Sequence, residues 1–202
     1  MSSTQMVPPL TAAVILAGGR GRRLGGVDKP ALRIGDRALL NVAIDAVGDC
    51  PIVVVGPPRE LPAGVRAARE EPPGGGPAAG VAAGVAALPP LPAGALLAVL
   101  AADLPGIDRS TVQRLATALA TAVSATAAAP DGAVLIDEAG RRQFLIGVWR
   151  ADRLAAAIAL RPSWNGAPLR ALLGPLEVLE IPGVDRETED VDTPDDWQRW
   201  QS

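Results

Sequence analysis

The sequence predicts a three-layer α/β fold, an αβα arrangement around a mostly parallel, mixed sheet, and three observations carry that reading. First, the continuous apolar runs AAVILA (12–17), PIVVVG (51–56) and ALLAVLAAD (95–103) suit strands buried on both faces of a parallel sheet. Second, stretches with helical spacing alternate with them, namely ALLNVAIDAVGD (38–49), AAGVAAGVAAL (78–88) and DRSTVQRLATALATA (108–122). That alternation argues for right-handed βαβ crossovers. Third, the rhythm changes beyond residue 123, where AVLID and RRQFLIGVW flank the turn DEAG and predict an antiparallel hairpin.

Taken in order, the first strand ends abruptly at Gly18 and Gly19, and Gly48 stops the first helix. After the hairpin, ADRLAAAIAL and APLRALLG predict short helices, and LEVLEI a further strand. TPDDWQRW predicts a closing helix with Thr193 as N-cap, Pro194 at its first position and acidic residues in its first turn. EPPGGGP (71–77) and PPLPAG (89–94) are too short to be domain linkers, and no internal repeat is visible. The expected organisation is a leader over residues 1–11 and a single domain over 12–202.

The formal net charge is −3 and the isoelectric point about 5.0, so the chain has no electrostatic footprint for a nucleic acid backbone. Cys50 is the only cysteine and there is no histidine, which excludes an internal disulfide and an ordinary His/Cys zinc site. Hard metals on carboxylates stay open. The N-terminal MSSTQMVPPL has no basic n-region, and no run reaches the roughly 20 apolar residues of a membrane span. A soluble cytoplasmic protein with small ligands, without nucleic acid or membrane partners, is the expectation.

In an open α/β sheet, ligands bind beyond the carboxyl ends of the strands. The loop there, LAGGRGRRLGGVDKP (16–30), ends in Lys29, the only lysine of the chain. Its glycines allow close backbone approach to an anion, and Arg20, Arg22, Arg23 and Lys29 supply positive charge, which suits a triphosphate. It is not a P-loop, because Pro30 follows the lysine, nor a dinucleotide fingerprint, because Leu24 spoils the spacing. A compact ammonium approaches developing charge as a point, where the planar fork of arginine demands two fixed acceptors. Asp103, just past a buried strand, needs a cation or hydrogen bonds to meet its carboxylate, with a turn or N-cap role as the alternative.

The loop closely resembles the signature L-A-G-G-x-x-x-R-M-G-G-x-D-K of the molybdenum cofactor guanylyltransferases. Leu16, Ala17, Gly18, Gly19, Arg23, Gly25, Gly26, Asp28 and Lys29 match it, and Leu24 stands for its Met. The resemblance implies the Rossmann-like fold of the nucleotide-diphospho-sugar transferase type and transfer of GMP from GTP to a molybdopterin phosphate with release of pyrophosphate. It further implies Lys29, Arg23 and Asp103 as catalytic residues. Nucleotide would be bound by Leu16, Ala17, Gly18, Gly19, Lys29, Glu71, Gly76, Pro77 and Asp103. Magnesium would be bound by Asp103 with Asp192, or with Asp190, which lies two residues away on the same face of an extended segment.

Four departures keep other readings open. Glu71 stands where the family has Asp, Ala78 where it has Leu, and Gly56 where it often has Asn, while Phe144 breaks a Gln-Pro pair after Gln143. The Asp-x-Asp-Thr-Pro run at 190–194 is more like cytidylyltransferases than the Asn-x-Asn-Thr-Pro of guanylyltransferases. A cytidylyltransferase or sugar-phosphate nucleotidyltransferase is therefore the alternative enzyme, and a nucleotide-binding module without turnover the alternative class. Arg161 and Arg170 are the residues left for a basic patch on the acceptor side. Trp164, Trp197 and Trp200 are expected as packing anchors, and Cys50 as an inert thiol.

Overall fold

The computed structural model describes residues 10–18, 28–126 and 128–201. Among these the chain runs β1 (Ala12–Leu16), a single-turn 3-10 helix (Lys29–Ala31), β2 (Arg33–Ile34), β3 (Arg37–Ala38), α1 (Leu39–Val47), β4 (Ile52–Val55) and β5 (Arg66–Ala68). Then come α2 (Pro77–Ala87), β6 (Leu96–Ala101), α3 (Arg109–Ala125), β7 (Gly132–Ile136), β8 (Arg142–Arg150), α4 (Ala151–Ala159), α5 (Leu169–Leu173), β9 (Val178–Pro182) and α6 (Pro194–Arg199). Seven strands make one sheet in the order β5-β4-β1-β6-β8-β7-β9. Only β8 runs against its neighbours. The three-layer mixed sheet is thus as expected.

The layers follow from side-chain alternation along each strand. On β1, Ala13 and Ile15 pack with Leu40 and Ala43 of α1 and Leu115 and Leu119 of α3. Ala12 and Val14 point the other way, toward Val81 of α2, Leu154 of α4 and Leu173 of α5. The same division holds on β4, with Ile52 and Val54 on one face and Val53 and Val55 on the other. Every one of these residues is buried, which is why the strands read as unbroken apolar runs.

The hairpin of β7 and β8 turns on Asp137, whose Oδ1 accepts the amides of Ala139 and Arg141, and on Gly140 at φ 73°. The helix after β6 starts on a capping box, Asp108 accepting the Thr111 amide while the Thr111 hydroxyl accepts the Asp108 amide. Two features were not foreseen. Arg66–Ala68 forms the edge strand β5 with no apolar run of its own, drawing its order from the ladder with β4. The two-residue strands β2 and β3 form a small separate hairpin just after Lys29.

Alpha-helix α2 lies close on the sheet because, apart from Val81, its buried positions are glycine and alanine. A Cβ on Gly84 would come 2.9 Å from Val55 Cγ2 and 3.0 Å from Val14 Cγ2, two methyls fixed in β-branched side chains on central strands. Gly84→Ala is therefore expected to destabilise the fold by about 1–3 kcal/mol despite the helix preference for alanine. Denaturant unfolding of the variant checks this, and a neutral or stabilising result would mean that α2 can lift freely from the sheet.

Candidate active site

The chain leaves β1 for β4 and β5 on one side and returns to β6 on the other, so the topology switches direction beside β1. A cleft of about 580 Å³ opens at the carboxyl ends of these strands. Leu16 at the end of β1 with Gly18 beyond it, Val55 at the end of β4 with Gly56 after it, and Ala102 and Asp103 just past β6 line it. A Cβ on Gly56 would stand 2.7 Å from Ala17 O and 2.8 Å from Ala17 C. Position 56 thus has no room for a side chain here, because the two strand ends touch through backbone. Ala17 itself is buried and absent from the cleft wall, its amide donating to Val55 O at 2.8 Å. Gly19 and Arg23 lie outside the described residues.

Lys29 re-enters at the cleft on the short 3-10 turn, with Pro30 buried behind it and the Ala31 amide donating to Asp28 O at 3.0 Å. Its Nζ donates to Asp192 Oδ1 and stands 3.6 Å from Asp103 Oδ2. Asp103, Asp190 and Asp192 each offer a carboxylate oxygen within 4.8 Å of the others. Burial pushes the Asp103 carboxyl above its ordinary value, opposed mainly by Lys29. Burial also raises Asp190, and the neighbouring carboxylates of Asp192 and Asp103 raise it further. Three convergent hard oxygen donors fit a small divalent cation such as magnesium. The geometry brings Asp190 in together with Asp192, rather than one of them alone.

This convergence needs the segment after β9 to be fixed against β6, and two devices do that. Val191 donates its amide to Asp103 O at 3.1 Å, joining the carboxylates by main chain. Glu187, buried at 5% exposure, accepts Arg114 Nη1 at 3.1 Å and Nη2 at 2.5 Å, the Thr111 hydroxyl at 2.6 Å and the Val184 amide at 2.8 Å. Val191 and Leu39 then form a small apolar cluster with Leu32, Ile34, Trp197 and Trp200, which seats α6 on the β2–β3 hairpin. The expected cap is present: Thr193 accepts the Asp196 amide, and Asp196 returns to the Thr193 amide and hydroxyl. The Thr193 hydroxyl, with backbone amides and Arg199, holds the Asp196 carboxyl down at about 2.

The loop before α2 contributes Gly76, at φ 91°, and Pro77 to the cleft, where the helix N-terminus opens. Glu70 is the acidic residue on that wall, its carboxylate accepting the Gly74 amide at 2.9 Å, and Glu71 follows it as an exposed residue. Gln143 donates to Asp137 Oδ2 at 3.1 Å, so the hairpin engages it, and Leu145 is the β8 residue at the cleft. The tryptophans act as anchors: Trp164 donates to Ile158 O, Trp197 to Arg33 O, and Arg186 stacks on Trp200. Arg161 lies over Trp164, and Arg170 is exposed on α5. Burial lifts the Cys50 thiol to about 11, which leaves it unreactive. Arg59 had no sequence signal at all, yet its guanidinium reaches both Ala17 O and Asp28.

Two outcomes follow. Although burial pushes Glu187 upward, its donors outweigh this and hold it below its ordinary value. A depressed carboxylate adds stability above the unfolded value near 4.3, lost as pH falls through the folded one. Arg114→Ala should cost about 1–3 kcal/mol at neutral pH and flatten the acid limb of the stability profile, read by denaturant titration at several pH values. Asp190 has the opposite sign: the folded state keeps its proton to higher pH than the unfolded chain, so its charge costs stability at neutral pH. Asp190→Asn should raise the melting temperature of metal-free protein at pH 7, with the gain vanishing below about pH 4. A lowered melting temperature would mean the charge is compensated without a metal.

Known proteins share this fold. A model of the MobA-like NTP transferase domain matches residues 13–178. A molybdenum cofactor guanylyltransferase of Acidiphilium cryptum is 36% identical over 166 residues, covering 76% of this chain and 72% of that one. The crystal structure of molybdopterin-guanine dinucleotide biosynthesis protein A from Archaeoglobus fulgidus superposes with a TM-score of 0.68 at 18% identity, over 95% of this chain and 97% of that one. That of 2-C-methyl-D-erythritol 4-phosphate cytidylyltransferase from Thermus thermophilus gives 0.64 at 21%, over 95% and 97%, a likeness of fold. Among the described residues no helix is long and apolar enough to cross a membrane. With a family model over most of its length and a relative above a third identical, this chain belongs to the MobA-like NTP transferase family.

Proposed function

We propose that the chain is a magnesium-dependent guanylyltransferase that moves GMP from GTP to the terminal phosphate of a molybdopterin-type acceptor. One observation carries this: the ammonium of Lys29 and the carboxylates of Asp103, Asp190 and Asp192 meet beside a cleft at the carboxyl ends of β1, β4 and β6. An oxygen of the acceptor phosphate bonds to the α-phosphorus, the bond from that phosphorus to the bridging oxygen breaks, and pyrophosphate leaves with the electron pair. Such transfer needs positioning and charge stabilisation more than covalent chemistry, which suits a cleft without histidine. Magnesium, when held by Asp103 with Asp190 and Asp192, supplies a local positive charge against the phosphates.

The protein's own groups do the rest. Gly18 and Gly56 present backbone with no Cβ at the closest approach, and the N-terminus of α2 at Gly76 and Pro77 favours negative charge. Lys29 neutralises charge that grows on the transferred phosphate. Arg23 belongs to the same proposal by its place in the loop. Glu70 on the wall provides the acceptor that guanine's N1–H and amino group call for.

The Asp-x-Asp-Thr-Pro run with both aspartates in the cluster favours CTP as a second reading. Pyrophosphate release measured in parallel with GTP and CTP, with and without magnesium, separates the two. GTP with magnesium is expected to be the productive pair, and Lys29→Arg is expected to keep the nucleotide-induced thermal shift while losing turnover at least about 100-fold. Turnover with CTP alone transfers the reading to a cytidylyltransferase. Nucleotide binding without pyrophosphate from any triphosphate makes the chain a binding module.

A further inference from the structure

We propose that Arg59 is a positioning residue for Lys29, clamping both ends of the opening loop in a single guanidinium fork. The inference rests on the nucleotidyl-transfer reading for its effect on turnover, but its geometry stands apart from it. Arg59 lies beyond β4, outside the loop it holds. Its Nη2 donates to Ala17 O at 2.8 Å, at the point where β1 ends. The same guanidinium grips Asp28 with two bonds, Nη2 to Oδ1 at 3.2 Å and Nη1 to Oδ2 at 3.3 Å. Ala17 and Asp28 bracket the whole glycine- and arginine-rich stretch, and Asp28 immediately precedes Lys29.

The carboxylate of Asp28 stays at the surface, 56% exposed, while the arginine that holds it is sunk into the protein. The Arg59 side chain is only 12% exposed, and its Nε is buried with no hydrogen-bond partner among the described residues. Burial of this kind costs free energy that an ordinary surface pair does not recover. What the clamp gains is restraint, because it fixes the span of a ten-residue loop whose closure is otherwise entropically unfavourable. It also gains charge order. With Asp28 engaged by Arg59, that carboxylate does not compete with Asp103 and Asp192 for the adjacent ammonium, nor repel an incoming phosphate. A lysine at 59 would deliver one charge without the parallel fork that grips the carboxylate.

The test uses the full chain with Arg59→Ala, Arg59→Lys, Asp28→Asn and the Arg59→Ala/Asp28→Asn pair. Pyrophosphate release gives kcat and KM for the triphosphate, thermal melts give stability, and hydrogen exchange follows the Ala31 and Leu32 amides, which close the turn carrying Lys29. Arg59→Ala is expected to lower kcat about 10- to 100-fold with KM little changed, as for a misplaced group rather than a lost contact. Arg59→Lys should not restore it, Asp28→Asn should fall in the same direction, and the pair should be no worse than Arg59→Ala. Exchange at Ala31 and Leu32 should quicken. Unchanged kcat, full rescue by lysine, or unchanged exchange overturns the clamp. Should Arg59→Ala fail to fold, Arg59→Lys and Asp28→Asn decide on the same readouts. If wild-type protein releases no pyrophosphate while exchange quickens in the variants, the anchoring of Lys29 stands and the transfer reading falls. If wild-type and Arg59→Ala turn over alike, the transfer reading stands and the clamp falls.

Discussion

Three carboxylates held within 4.8 Å of one another set the terms for everything around them. Like charges brought together and partly desolvated repel, and such a group forms only where the rest of the structure insists on it and a cation offsets the cost. Here the insistence comes from a main-chain bond between Val191 and Asp103 and from the buried Glu187 network, while the ammonium of Lys29 supplies the charge. The cost of the cluster is borne by ordinary packing elsewhere. Stability and chemistry are therefore opposed at this end of the sheet.

How much of this was legible in the sequence depends on whether the signal is local. The buried strands announce themselves because both faces are covered, so no polar position interrupts AAVIL or LLAVLA. Asp103 was legible for a related reason, as a charge next to a run that excludes charge, and Lys29 because it is the only lysine of the chain and ends a glycine- and arginine-rich loop. The edge strand at Arg66–Ala68 was not, since its order comes from hydrogen bonds to β4 rather than from its own side chains. Arg59 was invisible because its meaning lies in two partners 42 and 31 residues away. The place of Glu70 on the cleft wall belongs to the same class, being decided by backbone turns among prolines and glycines.

A protein with one phenylalanine and no tyrosine has to pack differently from one rich in large side chains. Close approach of backbones does much of that work. Gly84 lets α2 settle on Val14 and Val55, Gly132 and Gly147 leave room for the ring of Trp149, and Gly56 lets two strand ends touch. Where bulk is used, it is concentrated: Trp149 is fully buried, and Trp197 and Trp200 cover the small cluster that joins α6 to the turn after Lys29. Small residues set the distances, and a few indoles fill what is left.

The main-chain bond from Val191 to Asp103 has one more implication, for how the acidic cluster depends on the sheet. All seven strands of the sheet are encoded before residue 183, whereas two of the three carboxylates come after it. Pairing of the strands therefore does not itself bring the acids together: the sheet is complete in sequence before Asp190 and Asp192, and it is the segment after β9, tied back to Asp103, that assembles the cluster on it.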